Sequence, residues 1–266
     1  MTEKKPPRPK KRAPLRRGVA ILPSLFSLGN MLLGYYAVVL AFKHRFSMAV
    51  SMVILAGVLD MLDGRVARMT GTSSEFGKEL DSLSDFMSFG IAPALILYHW
   101  GFKDLGRTGW LLAFLLPVAG AVRLARFNVQ AHVVDKKYFI GLPIPAAAAA
   151  AVLPLSYLPD GLPIGLKAAA LAYVVALSFL MVSRVKYRSF KDLDVHQRRP
   201  SIMVFLMALI LVLIFLNPPA VLLALAVTFA ASGPALWVWE RIFPRRRQLK
   251  KKGRRAAGKE TLDETT

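Results

Sequence analysis

The 266-residue sequence has no cysteine. That excludes disulfides, Cys-ligated zinc, iron–sulfur clusters and thiol nucleophiles. Histidine is scarce: the four are His44, His99, His132 and His196, scattered with no metal-ligand spacing between them. Acidic residues are also few, 16 against 36 Lys and Arg, leaving a formal charge of +20. No internal repeat is visible, and no loop is long enough for a second soluble domain. What the chain has in abundance is apolar sequence, with 55% hydrophobic residues. A disordered chain lacks such residues. A soluble nucleic-acid binder has no need to separate its charge by long apolar runs, so no nucleic-acid partner is expected. Apolar content and basic charge fit together when the apolar stretches lie in lipid and the basic residues at its edges.

About eight candidate spans follow, at 24–43, 47–69, 80–100, 108–127, 142–158, 163–183, 201–217 and 219–239. Each approaches the roughly 20 residues needed to cross about 30 Å of hydrocarbon. The first run is too long for the core of a cleaved signal peptide and reads as a retained span. The expected fold is an all-α integral membrane protein, a polytopic helical bundle. Basic residues concentrate in the tail 1–20 (Lys4, Lys5, Arg8, Lys10, Lys11, Arg12, Arg16, Arg17), the loop 184–200 and the tail 244–266. The opposite connections, 44–46, 101–107, 159–162 and 217–218, are short and hold few. The positive-inside rule then sets both termini in the cytoplasm of a multi-pass cell-membrane protein. Basic tails on that side also suit contact with anionic membrane lipid. The C-terminal tail, 244–266, is expected to be disordered.

The anomaly lies between residues 60 and 85. Asp60 and Asp63 sit near the end of the second span, and Asp81 and Asp85 near the start of the third. Carboxylates at membrane helix ends are costly unless paired, hydrated or bound to cations. The i, i+3 and i, i+4 spacings put each pair on one helix face. The short 69–76 connection makes the two helices antiparallel neighbours, so the pairs can face each other. Oxygen-only ligation at this density favours Mg²⁺ or Mn²⁺, and four carboxylates exceed what one Mg²⁺ usually takes from protein. Two ions about 3.5–4 Å apart would suit phosphoryl transfer. The plainer reading is a set of helix-end carboxylates paired with Arg65, Arg68 and Lys78. A helix dipole favours Asp81 near an N-terminus but disfavours Asp60 and Asp63 near a C-terminus. Gly64 and Ala67 keep one helix face small, Gly77 marks the entry to the third span, and Arg68 can reach a diphosphate. Close helix packing through small residues is the alternative for the glycines.

Taken together these residues read Asp60-x2-Asp63-Gly64-x2-Ala67-Arg68-x8-Gly77-x3-Asp81-x3-Asp85. The pattern resembles the signature of the CDP-alcohol phosphatidyltransferase family at every defined position. Flanking stretches at 22–30 (LPSLFSLGN), 88–94 (SFGIAPA), 123–128 (RLARFN), 139–145 (FIGLPIP) and 180–187 (LMVSRVKY) resemble its integral-membrane CDP-diacylglycerol–serine O-phosphatidyltransferases. Ser24 departs from the Asn often found there, whereas Asn30 is retained. The resemblance covers roughly residues 20–195. It implies a six-helix membrane core at 21–195 with an added helix pair at 196–243, and a homodimer.

The resemblance also implies a reaction: CDP-diacylglycerol and L-serine give phosphatidylserine and CMP. Asp60, Asp63, Asp81 and Asp85 would hold the two divalent ions, and Asp85 would accept the serine proton. Asn30, Asp60, Gly64, Ala67, Arg68 and Gly77 would line the CDP site. Arg123 and Arg126, one turn apart, suit the serine carboxylate or a donor phosphate. Asn128, Arg184 and Lys186 are further candidates on the acceptor side. For Arg123 and Arg126 the plainer role is snorkelling to the interface. Two alternatives stand beside this activity. One is a transferase of the same family acting on glycerol 3-phosphate or inositol. The other is a cation transporter using intramembrane Asp residues.

Overall fold

The computed structural model describes residues 21–70, 74–130, 138–188 and 200–242. The expectations for tails 1–20 and 244–266, and for most of the 184–200 loop with His196, lie outside the described residues, as does His132.

The backbone of an apolar chain in lipid must satisfy its own hydrogen bonds, which favours helix. Helix α1 (Ile21–Phe42) turns tightly at 43–45, where His44 adopts φ 56°, into α2 (Phe46–Thr70). Helix α3 (Glu75–Asp85) starts at Ser74, whose Oγ accepts the Gly77 N–H at 2.9 Å. It continues through a π-helical segment, Phe86–Ile91, into α4 (Ala92–Leu97) and a second π segment, Tyr98–Phe102. A 3₁₀ turn then leads to α5 (Gly106–Gln130). Helix α6 (Ile144–Val152) is short because the Pro154 region tightens into a 3₁₀ turn, Leu153–Tyr157. Then come α7 (Lys167–Val182), α8 (Pro200–Leu216) and α9 (Pro218–Ile242). Strands β1 (Tyr138–Ile140) and β2 (Lys186–Arg188) pair antiparallel, with Phe139 opposite Tyr187.

Among the described residues, five helical stretches are long and apolar enough to cross a membrane: Ser24–Phe42, Phe46–Met69, Glu75–Val129, Ile164–Val182 and Pro218–Trp239. The third of these runs from α3 through α5 and so contains two of the expected spans. Ile144–Tyr157 and Phe205–Leu216 are shorter apolar helices. The protein is an all-α polytopic membrane protein, with one small β ribbon as the exception.

Burial gains little between helices in lipid, so close packing and polar contacts must hold the bundle. Helix α6 supplies an alanine stripe, with Ala147, Ala148, Ala150 and Ala151 buried. Gly34 brings α1 against the first π segment: a Cβ there would stand 2.7 Å from Ser88 Cα. Ser88 Oγ donates to Asn30 O at 2.8 Å across the same contact. Gly141, at φ 80°, lets the chain leaving β1 pass against the end of α7, where a Cβ would collide with Met181 O. The outward faces carry large apolar side chains, among them Leu32, Leu111 and most of 205–216 on α8. Lipid is the natural solvent for them.

Candidate metal and phosphate site

The chain direction brings the start of α1, the end of α2, the start of α3 and the end of α5 to one end of the bundle. Helix α1 contributes Ser27 and Asn30, spaced i, i+3 on its inner face, and both are buried. Helix α2 contributes Asp60 and Asp63, and α3 contributes Asp81 and Asp85.

Asp60, Asp81 and Asp85 can each present one carboxylate oxygen so that all three lie within 4.8 Å of one another. At an effective dielectric of about 20, each ionised pair at this distance repels by roughly 3–4 kcal/mol. Asp63 stands differently. It is 5% exposed and accepts a short hydrogen bond from Ser27 Oγ. None of the four forms a salt bridge among the described residues, where the ion pairs are Lys78–Glu75 and Lys167–Asp104. Pairing with Arg65, Arg68 or Lys78 is therefore not what holds the cluster.

Asn30 is fully buried, and its Nδ2 donates to Asp85 Oδ1 at 3.2 Å. Its Oδ1 has no partner among the described residues. Arg123, on α5, lies close enough to Asp85 for the two charges to interact, and its buried Nε likewise has no partner. A cluster of hard oxygen donors with an orphaned buried carbonyl beside it fits a divalent cation better than it fits a closed structural network.

The other predicted residues fall around this centre. Gly64 is exposed, and a Cβ there would meet nothing nearer than Arg68 Nη2 at 3.9 Å. The face around Gly64 is open, with Ala67 half-buried and Arg68 exposed on the same helix. Gly77 has a local role as well: a Cβ would stand 3.1 Å from Ser74 Oγ, inside the helix cap. Asn128 Nδ2 donates to Ser82 Oγ at 3.0 Å, tying α5 to α3 between the two carboxylates of α3. Arg126 Nη1 donates to Val182 O at 2.9 Å, tying α5 to the end of α7. Arg184 is exposed just beyond that point, and Lys186 stands in β2 opposite Ile140.

Ser27, Ser82 and Ser88 are polar partners that the sequence reading did not assign. A signal for Ser27 existed, since it shares a helix face with Asn30 three residues on. Ser82 and Ser88 lie among other serines, and nothing in their spacing singles them out.

The family model for CDP-alcohol phosphatidyltransferase matches residues 20–232. A CDP-diacylglycerol–serine O-phosphatidyltransferase of Helicobacter pylori (strain J99) is 37% identical over 224 residues, covering 82% of this chain and 92% of that protein. The protein of the same name from Methanocaldococcus jannaschii is 34% identical over 221 residues, covering 82% and 94%. An archaetidylserine synthase of Methanothermobacter thermautotrophicus is 39% identical over 168 residues, covering 62% and 69%.

Proposed function

Because the chain belongs to the CDP-alcohol phosphatidyltransferase family, we propose that it transfers the phosphatidyl group of CDP-diacylglycerol to L-serine, giving phosphatidylserine and CMP. The observation that carries this reading is the convergence of Asp60, Asp81 and Asp85 beside a buried Asn30 carbonyl that has no partner among the described residues. The relatives named for serine supply the acceptor.

Asp60, Asp63, Asp81 and Asp85 would hold two ions, Mg²⁺ or Mn²⁺. When bound, the ions offset the charge of the diphosphate and stabilise the departing phosphate. The remaining steps belong to the chain's own side chains. Asp85, oriented by Asn30, accepts the proton of the serine hydroxyl. The serine oxygen forms a bond to the lipid-side phosphorus as the bridging bond to CMP breaks, and CMP keeps that oxygen. A carboxylate is a weak base, and its position beside the nucleophile compensates. The open face at Gly64 and Ala67 admits the nucleotide, and Arg68 meets its phosphates. Gly77 frees the α3 entrance. Arg123, whose buried Nε has no partner among the described residues, serves the serine carboxylate or the lipid phosphate. Arg126, Asn128, Arg184 and Lys186 frame the acceptor side.

In this reading the catalytic core spans 21–195 and the added helix pair 196–243. The site opens to the cytoplasm, where both basic tails also lie, and the protein works as a homodimer. The transferase family to which the chain belongs speaks against a cation transporter. The lipid is less tightly specified, because one relative is named an archaetidylserine synthase.

The test is CMP release from detergent-purified protein with Mg²⁺ or Mn²⁺. L-serine should support turnover with CDP-diacylglycerol, and glycerol 3-phosphate or inositol should not. Turnover with either of those acceptors but not serine would replace the acceptor assignment. Preference for an ether-linked archaeal donor would replace the lipid.

A further inference from the structure

Helix α9 carries Pro234 in its interior. Proline has no N–H, so the carbonyl four residues earlier, Ala230 O, loses its helical donor. In a membrane span an orphan carbonyl must find another donor. It finds Tyr187, whose hydroxyl donates to Ala230 O at 3.1 Å. The neighbouring Gly233 makes the seat: a Cβ there would stand 2.6 Å from Tyr187 Cε1. Phe229 packs beside the ring, centroid to centroid 5.5 Å. Tyr187 is the largest fully buried side chain among the described residues. Burial pushes its hydroxyl up to about 12, so it stays a protonated donor.

Tyr187 is the central residue of β2, and β2 is tied to its surroundings on its other sides. It pairs with β1, and Gly141 N donates to Val185 O at 2.8 Å. Leu142 N donates to Leu180 O at 3.1 Å, and Arg126 Nη1 holds Val182 O. The segment 182–187 is therefore clamped between the site helix α5 and the late helix α9. It carries Arg184 and Lys186.

We propose that Tyr187 is a positioning residue: the Gly233–Pro234 socket of α9 holds it, and through it sets where the 183–186 segment stands on the acceptor side of the site. Its effect on serine rests on the function proposed above. The socket gives α9, which adds no carboxylate to the cluster, a defined part in recognising the acceptor.

The test uses the full-length protein in detergent. Tyr187→Phe should raise KM for serine about five-fold, the scale of one hydrogen bond. Its kcat and its KM for CDP-diacylglycerol should stay within about two-fold. Pro234→Ala restores an N–H to Ala230 O and competes for the same carbonyl. It should raise KM for serine alike, and the double variant should show no further rise. Unchanged kinetics, both KM values rising together, or additive effects would overturn the proposal.

A second measurement is independent of serine. The chain has no native cysteine, so spin labels at Arg184→Cys and Met69→Cys report one distance. Tyr187→Phe should broaden its distribution. An unchanged distribution overturns the socket even if serine is turned over. A broadened one in a protein that does not use serine removes the acceptor assignment and leaves the socket standing.

Discussion

At one end of the bundle Lys167 Nζ meets Asp104 Oδ2 at 2.8 Å, and Trp100 Nε1 donates to Leu158 O at 2.7 Å. At the other end Asp60, Asp81 and Asp85 crowd one another, while Asn30 Oδ1 and Arg123 Nε are buried without partners among the described residues. The same chain, with far more basic than acidic residues, pairs Asp104 with a Lys at one end and, among the described residues, leaves Asp60, Asp63, Asp81 and Asp85 without a salt bridge where the helices converge. A bundle selected for stability alone would treat both ends like the first. The function proposed above would account for the repulsion at the second end: hard cations would offset the carboxylates, and a diphosphate would offer Arg123 an acceptor.

The comparison breaks most sharply at Asp85. Asp85→Asn should lower CMP release by about a thousand-fold or more, the scale of a lost general base. In a metal-free buffer the variant should melt no lower than the parent, because one source of repulsion has gone. Activity close to the parent's would remove the base assignment.

A divalent cation should stabilise the crowded end only. At a hundredfold excess over Kd, Mg²⁺ or Mn²⁺ should add about 2.7 kcal/mol to a chelator-treated sample, read as a rise in melting temperature. Asp60→Asn and Asp81→Asn should abolish that rise, and Asp104→Asn should keep it. A rise that survives in all three would place the ion elsewhere.

The smallest effect sharpens the comparison through packing. Gly34→Ala pushes α1 away from Ser88 and should cost about 1–3 kcal/mol of stability, the usual range for overpacking. Because Asn30 lies one turn away and holds Asp85, kcat should fall about ten-fold even where the protein remains folded. Lost stability with an unchanged kcat would show that the α1 contact does not bear on the carboxylates.

The crowded end was largely legible in the sequence, because Asp60, Asp63, Asp81 and Asp85 lie close along the chain at helical spacings that share a face. Spacing along two adjacent helices cannot reveal a partner on a third. That is why Ser27, although it shares a helix face with Asn30, was not linked to Asp63, which it meets from 36 residues away. The bundle was legible for a similar reason, since long apolar runs announce helices. The ribbon was not, because strands of three residues carry too few side chains to establish an alternation. The π segments left no mark in the hydropathy, because the widened turns are as apolar as the helix on either side. The socket on α9 was half visible: a Gly-Pro pair inside a span signals a freed carbonyl but not which side chain will claim it.

The π segment at Phe86–Ile91 has one more consequence. It joins the stretch bearing Asp81 and Asp85 to the apolar rod that anchors them against α5. A π turn closes on i→i+5 hydrogen bonds, so it holds one residue more than an α turn. In the α-helical rod beyond it, each residue advances the rotation by about 100°, and one added or removed there would swing the two aspartates around the axis like a key turned out of its lock, although no side chain of the cluster had been altered. Within the π segment a single deletion is absorbed by a return to plain α-helix, so a change of length should do less harm at Phe86–Ile91 than at Ala92–Leu97.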